Sequence, residues 1–389
     1  MAVATEFAMR QRDMNDPSRN LLVDLFRGIC ILAVLMMHLS IFLPDKAGIP
    51  KAALWAYFHN GYYGVVGFFV ISGYLITHHS FRRFGSLSLI SPLKFYSYRA
   101  GRILPMLLFT LLILVSLHWW EVAAFVVPPR ISVAESVFAA LTAQYNLFWL
   151  RQWAQGNDPG LQWMILWSLS VELAFYAAFP FLCVALRRTS TIVAGLLAVM
   201  AFCIIYRSTA ANEDALIHHF ACFDYIALGC LIAIIGGSDL YKLAAKRNFV
   251  RLSLLSTGLT ACIVAYTTFD VSEDVAFGGP LIAIGVAALL LFANYEEHSR
   301  AAMVYASPLS AIGKYSYELY LIHMIVLLLI YSTFASNLLL LWPFKHGLTL
   351  FIIFGYLSIC MAASVLLSRA VSQPVNRSFR VRLVPVSLS

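Results

Sequence analysis

Apolar residues run in stretches of roughly 18 or more, separated by short polar breaks, along nearly the whole chain. Each stretch can cross a hydrocarbon layer of roughly 30 Å as a helix. Lipid offers the backbone no hydrogen-bond partners, so every N–H and C=O must be satisfied internally, and runs of this length with a helical period leave helices rather than a barrel. The pattern predicts helices near 21–43, 62–81, 103–119, 163–186, 190–206, 220–237, 252–269, 279–295, 315–333 and 347–369. The fold class is therefore all-α: a polytopic membrane helix bundle of about ten transmembrane helices.

Composition excludes a water-soluble domain. Of the 389 residues, 61% are hydrophobic and 12% charged, against roughly a quarter charged in soluble domains. The charge has a direction. Lys and Arg flank membrane spans on the cytoplasmic side. With the N-terminus inside, 20 of the 27 basic residues fall in the termini and the even-numbered loops. Six fall outside (Lys46, Lys51, Arg130, Arg151, Arg207 and Lys345), and Arg27 lies within the first helix. Ten spans satisfy this alternation and an odd number breaks it, so both termini are expected in the cytoplasm. The same asymmetry accounts for the net charge of +8, and no nucleic-acid partner is expected.

The expected organisation is a cytoplasmic tail over 1–20, one transmembrane domain over 21–369, and a cytoplasmic tail over 370–389. The longest outer segment, 120–162, carries Trp119 and Trp120 at its start and an apolar stretch at 133–150 of interfacial or re-entrant character, able to roof a site. No repeat and no appended soluble domain is read. The run after the first twenty residues contains Asp24 and Arg27 and lacks a small-residue cleavage site, so no cleaved signal peptide is expected. Seven cysteines without CxxC spacing, all in apolar stretches, read as small buried side chains, with neither a disulfide framework nor a metal site.

Ionisable groups inside a transmembrane helix cost roughly 2.5–3.5 kcal/mol each near its centre, so each asks for a reason. The first helix has three. Asp24 and Arg27, three apart, can pair on one face. His38 lies eleven residues beyond Arg27, which is about 20° past three full turns and a rise of roughly 16 Å. All three share a stripe, with Arg27 toward the cytoplasm and His38 toward the outer face. Taken singly, Arg27 also reads as a snorkelling anchor and His38 as a hydrogen-bonded interior histidine.

The stretch LVDLFRGICILAVLMMH, carrying Arg27 and His38, resembles the first-helix signature of the acyltransferase 3 family of bacterial membrane proteins. Four more stretches resemble that family in its order: GVVGFFVISGYLIT at 64–77, FYSYRAGRILP at 95–105, LWSLSVELAFYAAFP at 166–180 and SYELYLIH at 316–323. One departure is visible: Leu173 and Ala174 follow Glu172 where many members have Glu-Gln. The resemblance covers the N-terminal half densely and the C-terminal half sparsely. It implies O-acyl transfer in the bacterial inner membrane, from cytoplasmic acyl-CoA to a hydroxyl of an extracytoplasmic saccharide or glycolipid. Acetyl-CoA is the commonest donor in the family, no cofactor is permanently bound, and membrane lipid is the surrounding partner.

Residue roles follow as expectations. Arg99 and Arg102, at the inner mouth of the third helix, suit the phosphates of CoA, although positive-inside anchoring explains them equally. His38 is the candidate general base, or the site of an acyl-histidine intermediate. Glu172, at similar depth, can orient the imidazole or merely pair with another buried group. Ser72 and its neighbour Gly73 suit close helix packing first and donor lining second. His323 and Asp224 are further candidates, Asp224 either for the acceptor sugar or as a headgroup-level residue. The remaining histidines are assigned nothing. No HExxH, P-loop or nucleophile elbow occurs. A secondary transporter would also bury Arg, His and Glu, but the paired broken helices of such folds are missing. A scaffold or sensor would leave Arg27 and His38 replaceable. The sequence leaves the acceptor, the acyl group and the oligomeric state open.

Overall fold

The computed structural model describes residues 20–42, 59–210, 214–270, 275–296, 308–340 and 345–383. Most of the expected N-terminal tail, with Arg10, Arg12 and Arg19, lies outside the described residues, as do Lys46, Lys51, Arg300 and positions 384–389. Among the described residues there is no strand. The helices used below are α1 (Leu21–Phe42), α2 (Tyr62–Phe84), α3 (Pro92–Trp119), α4 (Val133–Leu141), α5 (Tyr145–Ala154), α6 (Leu166–Leu186) and α7 (Thr189–Thr209). They continue with α8 (His219–Gly237), α9 (Asn248–Thr268), α10 (Val275–Glu296), α11 (Pro308–Lys314), α12 (Ser316–Leu340), α13 (Lys345–Leu367) and α14 (Gln373–Leu383). Ten spans among the described residues are long and apolar enough to cross a membrane: α1 to α3, α6 to α10, α12, and α13 with its continuation into α14.

The bundle has a centre and a rim. In α2, 72% of the apolar span is buried, against 17% in α7 and in α9. Those rim helices turn Phe202, Ile205, Leu252 and Ile263 outward, where lipid is the natural neighbour. Close approach at the centre rests on missing side chains. A Cβ on Gly73 of α2 would sit 1.9 Å from the Ile226 carbonyl oxygen of α8, and one on Gly229 of α8 would sit 2.0 Å from that of Val70. At the start of α1, Gly28 packs in the same way against the Leu309 carbonyl of α11.

Two boundaries differ by more than ten residues from the sequence reading. α3 begins at Pro92, eleven residues before the expected start. An apolar-run reading stops at Lys94, Arg99 and Arg102, whereas the helix continues because Pro92 occupies its first turn and the backbone ladder is indifferent to charge. Arg99 and Arg102 thus lie within the helix rather than at its mouth. The tail expected from 370 onward stays helical through a π-turn at Ser368–Ser372 and then α14, whose Phe379 packs on Gly101 of α3. The segment 120–162 holds α4, α5 and a single turn at Leu161–Met164, and packs against α3, α6 and α12. Trp119 and Trp120, both 75% exposed, stand at its start, as aromatic residues do at a membrane interface.

Candidate active site

Five helices turn polar residues toward one interior cavity of about 100 Å³. From α1 comes Arg27, whose guanidinium lies 3.6 Å from the Asp24 carboxylate one turn earlier. α2 contributes Ser72, while Gly73, 100° further around the helix, serves the contact with α8. Packing and lining are therefore divided between neighbouring residues. α3 contributes Arg99 and Arg102. The Arg99 guanidinium carbon lies 4.8 Å from the ring centre of Tyr176 and 5.8 Å from that of Phe95, within cation–π range of both.

α6 presents Ser168, Glu172 and Tyr176, spaced four apart and so aligned on one face. The Glu172 carboxylate accepts hydrogen bonds from the hydroxyls of Ser72 and Tyr176, which also touch each other. Glu172 therefore joins α2 to α6 at the cavity wall, and its described partners do not include His38. α12 adds Ser316, Tyr317 and Tyr320. The Tyr317 hydroxyl donates to the Ile103 carbonyl at 2.8 Å, and that of Tyr320 bonds Ser168 at 2.6 Å and donates to the Ile165 carbonyl at 3.0 Å.

His38 lies beyond this cavity rather than on its wall. It is 4% exposed and faces His323, which is 0% exposed, so neither ring points to lipid. His323 Nε2 is 3.2 Å from His38 Nδ1, and the ring centres are 4.9 Å apart. Their proton positions follow by elimination for the neutral pair. His323 Nδ1 faces the Tyr320 and Leu319 carbonyls at 2.7 and 3.2 Å, so it must donate, and its Nε2 is left as an acceptor. His38 Nδ1 faces that acceptor and the Val34 carbonyl at 2.9 Å, so it too carries its proton. The remaining nitrogen, His38 Nε2, has a lone pair and no described protein partner. Tyr320 stands between cavity and histidines, its ring centre 5.8 Å from that of His323 and 6.4 Å from that of Phe68.

Asp224 is elsewhere. Its carboxylate takes a 2.5 Å ion pair from Arg207 of α7, which also donates twice to the Ala221 carbonyl. Arg207, counted from sequence with the outer loops, is 4% exposed and inside the bundle. Among the described residues no group of three metal-ligating side chains occurs, and all seven cysteines are unpaired.

The family model described as Acyltransferase domain matches residues 20–369. The chain belongs to the acyltransferase 3 family. Its relatives include O-acetyltransferase OatA of Staphylococcus aureus strain NCTC 8325, 25% identical over 335 residues, which are 81% of this chain and 52% of the relative. A provisionally named S. aureus O-acetyltransferase, SACOL0978 of strain COL, is 24% identical over 355 residues, 86% of this chain and 55% of its own. The chain thus spans about half the length of the curated relatives it matches. No solved structure matches it significantly.

Within this acyltransferase 3 domain, Arg27, Ser72, Arg99, Arg102 and Glu172 meet in one cavity, Asp24 backs Arg27, His38 and His323 form a pair past Tyr320, and Asp224 stands apart. Sequence reasoning missed Tyr176, Tyr317, Tyr320, Ser168 and Ser316. A signal was present: Ser168 and Tyr176 flank Glu172 at four-residue spacing, and Tyr320 and Tyr317 precede His323 by three and six. Tyrosine passes as apolar in a hydropathy reading, which hid these hydroxyls.

Proposed function

We propose that this domain moves an acyl group, acetyl in the first instance, from an acyl-CoA entering at the basic end of the bundle to a hydroxyl of a saccharide or glycolipid on the far side of a bacterial inner membrane. The observation that carries the reading is the pairing of a cavity bearing three guanidinium groups with an unprotonated, uncommitted imidazole nitrogen further along the same helix. Guanidinium groups suit the donor's phosphates. An extended pantetheine arm lying along α1 covers the roughly 16 Å rise from Arg27 to His38, passing beside Tyr320. The names of the S. aureus relatives support acetyl as the group and oxygen as the acceptor atom.

In this mechanism His38 Nε2 takes the proton of the acceptor hydroxyl as its oxygen attacks the thioester carbonyl. The carbon–sulfur bond breaks, and the proton passes from the imidazolium to the departing thiolate. While His38 is charged, the lone pair of His323 and the Val34 carbonyl share its Nδ1 proton. An acyl-histidine route uses the same nitrogen as nucleophile and leads to the same products.

The test is transfer of label from acetyl-CoA into glycan in membranes carrying the chain or His38→Ala. Loss of general-base catalysis predicts a fall of about 10²- to 10⁴-fold in the variant. Equal transfer by both proteins removes His38 from the mechanism, and solute uptake without acyl transfer points to a transporter.

A further inference from the structure

Ser316 and Tyr317, the first two residues of α12, form part of the cavity wall. Ser316 is 1% exposed, and its Oγ has no hydrogen-bond partner among the described residues. Of the described side-chain polar atoms buried without a hydrogen-bond partner, that of Ser316 is the one that lines the cavity, where an arriving ligand can complete it. The backbone around it adds to this. The first N–H groups of a helix have no acceptor within that helix. These aligned groups give the start of a 25-residue helix a partial positive charge.

Charged side chains in the same wall add to that polarity. Arg27, Arg99 and Arg102 line the cavity, and the Arg102 guanidinium has no ion pair or hydrogen bond among the described residues. The carboxylates nearby are committed or displaced. Glu172 already accepts hydrogen bonds from two hydroxyls, Asp24 faces Arg27 from outside the wall, and Glu318 is buried outside it. The space left is about 100 Å³, too little for a whole nucleotide-bearing donor, since sites for drug-sized ligands run to roughly 300 Å³ and more. It is room for one anionic group and the arm attached to it.

We propose that the first turn of α12, through Ser316 Oγ and its leading N–H groups, forms with Arg27 and Arg102 a seat for a phosphate group, which in turnover is a phosphate of the acyl donor. The proposal rests on the acyl-thioester reading for the identity of the donor, but not for the existence of the seat. A phosphate there accepts from the serine hydroxyl, the helix N-terminus and the guanidinium groups together, as anions do at helix N-termini. Ser316 is then a donor-binding residue rather than a structural one.

The test compares acetyl-CoA, S-acetyl-4′-phosphopantetheine and phosphate-free S-acetylpantetheine as donors for the full chain in membranes. The expected KM for the phosphorylated donors is about tenfold or more below that for acetylpantetheine, Ser316→Ala removes most of that ratio, and Ser316→Thr, which keeps the hydroxyl, retains it. No preference in the unsubstituted chain, or an equal rise for all donors in Ser316→Ala, overturns the proposal. A chain that uses no thioester at all refutes the acyl-CoA reading instead. The seat is then judged by thermal unfolding of detergent-purified chain with inorganic pyrophosphate. A rise in Tm with Ser316 present that is absent in Ser316→Ala upholds it, and equal shifts sink it. If phosphatidylglycerol vesicles abolish the pyrophosphate shift, the phosphate belongs to lipid, and the assignment to the donor is wrong.

Discussion

Two arginine–aspartate pairs lie inside this bundle, and they are built differently. Arg207 and Asp224 join α7 to α8 at 2.5 Å, with side chains 2% and 6% exposed. That guanidinium is engaged through Nε and one terminal nitrogen, with the carboxylate once and the Ala221 carbonyl twice, and the Tyr225 ring centre lies 4.6 Å away. Arg27 and Asp24 belong to one helix, stand 3.6 Å apart, and leave the guanidinium open to a cavity that holds two more. A buried charge saturated by its surroundings has no capacity left for a ligand and works as a strut between helices. A buried charge left partly unsatisfied has been kept for something that arrives later. The difference lies in the remaining partners, and it is invisible in hydropathy, which reads Arg27 as a charge within an apolar run and Arg207 as a residue just past one.

The largest effect should come from breaking the strut. Removing one member of a buried pair leaves the other charge without compensation, at a cost of about 3–5 kcal/mol. Asp224→Ala is therefore expected to lower the Tm of detergent-purified protein steeply, while the donor KM of the fraction that stays folded is unchanged. Replacing both members together, as Arg207→Met with Asp224→Leu, should recover most of the loss, because two apolar side chains need no partners. A rise in donor KM with normal Tm in Asp224→Ala would move this pair into the active machinery and erase the comparison.

The open pair should answer in the opposite way. Arg27→Ala removes charge-assisted hydrogen bonds worth about 1.5–3 kcal/mol each to a bound anion, so the donor KM should rise about ten- to a hundredfold. Its Tm should change far less than that of Asp224→Ala, because the 3.6 Å contact with Asp24 is long and incomplete. Titration of acetyl-CoA in the transfer assay, alongside a melt, separates the two pairs. An Arg27→Ala protein that unfolds as readily as Asp224→Ala, with donor affinity intact, would make both pairs struts.

The helices could be read from the chain because a bilayer imposes a length and a polarity on each crossing, and α1, α2, α6 to α10 and α12 fall close to where the apolar runs place them. α3 could not, because the arginines that end its apolar run are the ones facing the cavity. Within α1, periodicity alone puts Asp24, Arg27 and His38 on one stripe, since it depends only on the 100° step. The partner of His38 was beyond that method. Depth along the membrane suggested Glu172 as its neighbour, whereas the packing of α12 on α1 places His323 there instead. Arg207 shows the same limit: position in the last turn of α7 suggests a loop residue, while the fold turns it inward.

The histidine pair gives the smallest expected effect, and the reason is in its geometry. If His323 only fixes the tautomer of His38, it shares that work with a second acceptor. The His38 Nδ1 proton has the Val34 carbonyl at 2.9 Å as well as His323 Nε2 at 3.2 Å. Deleting the weaker of two acceptors should leave Nδ1 protonated and Nε2 free, at the cost of about one hydrogen bond, or roughly tenfold in kcat. His323→Asn, which keeps a side-chain oxygen able to accept, should lose less than His323→Ala, with donor KM unchanged in both. The pH dependence of transfer offers a sharper reading, because a change in the sharing of the Nδ1 proton moves the pH at which His38 titrates, whereas a mere packing defect lowers the rate at every pH alike. A His323→Ala loss as deep as that of His38→Ala would contradict the backup offered by Val34, and would mean that His323 itself meets the reacting atoms.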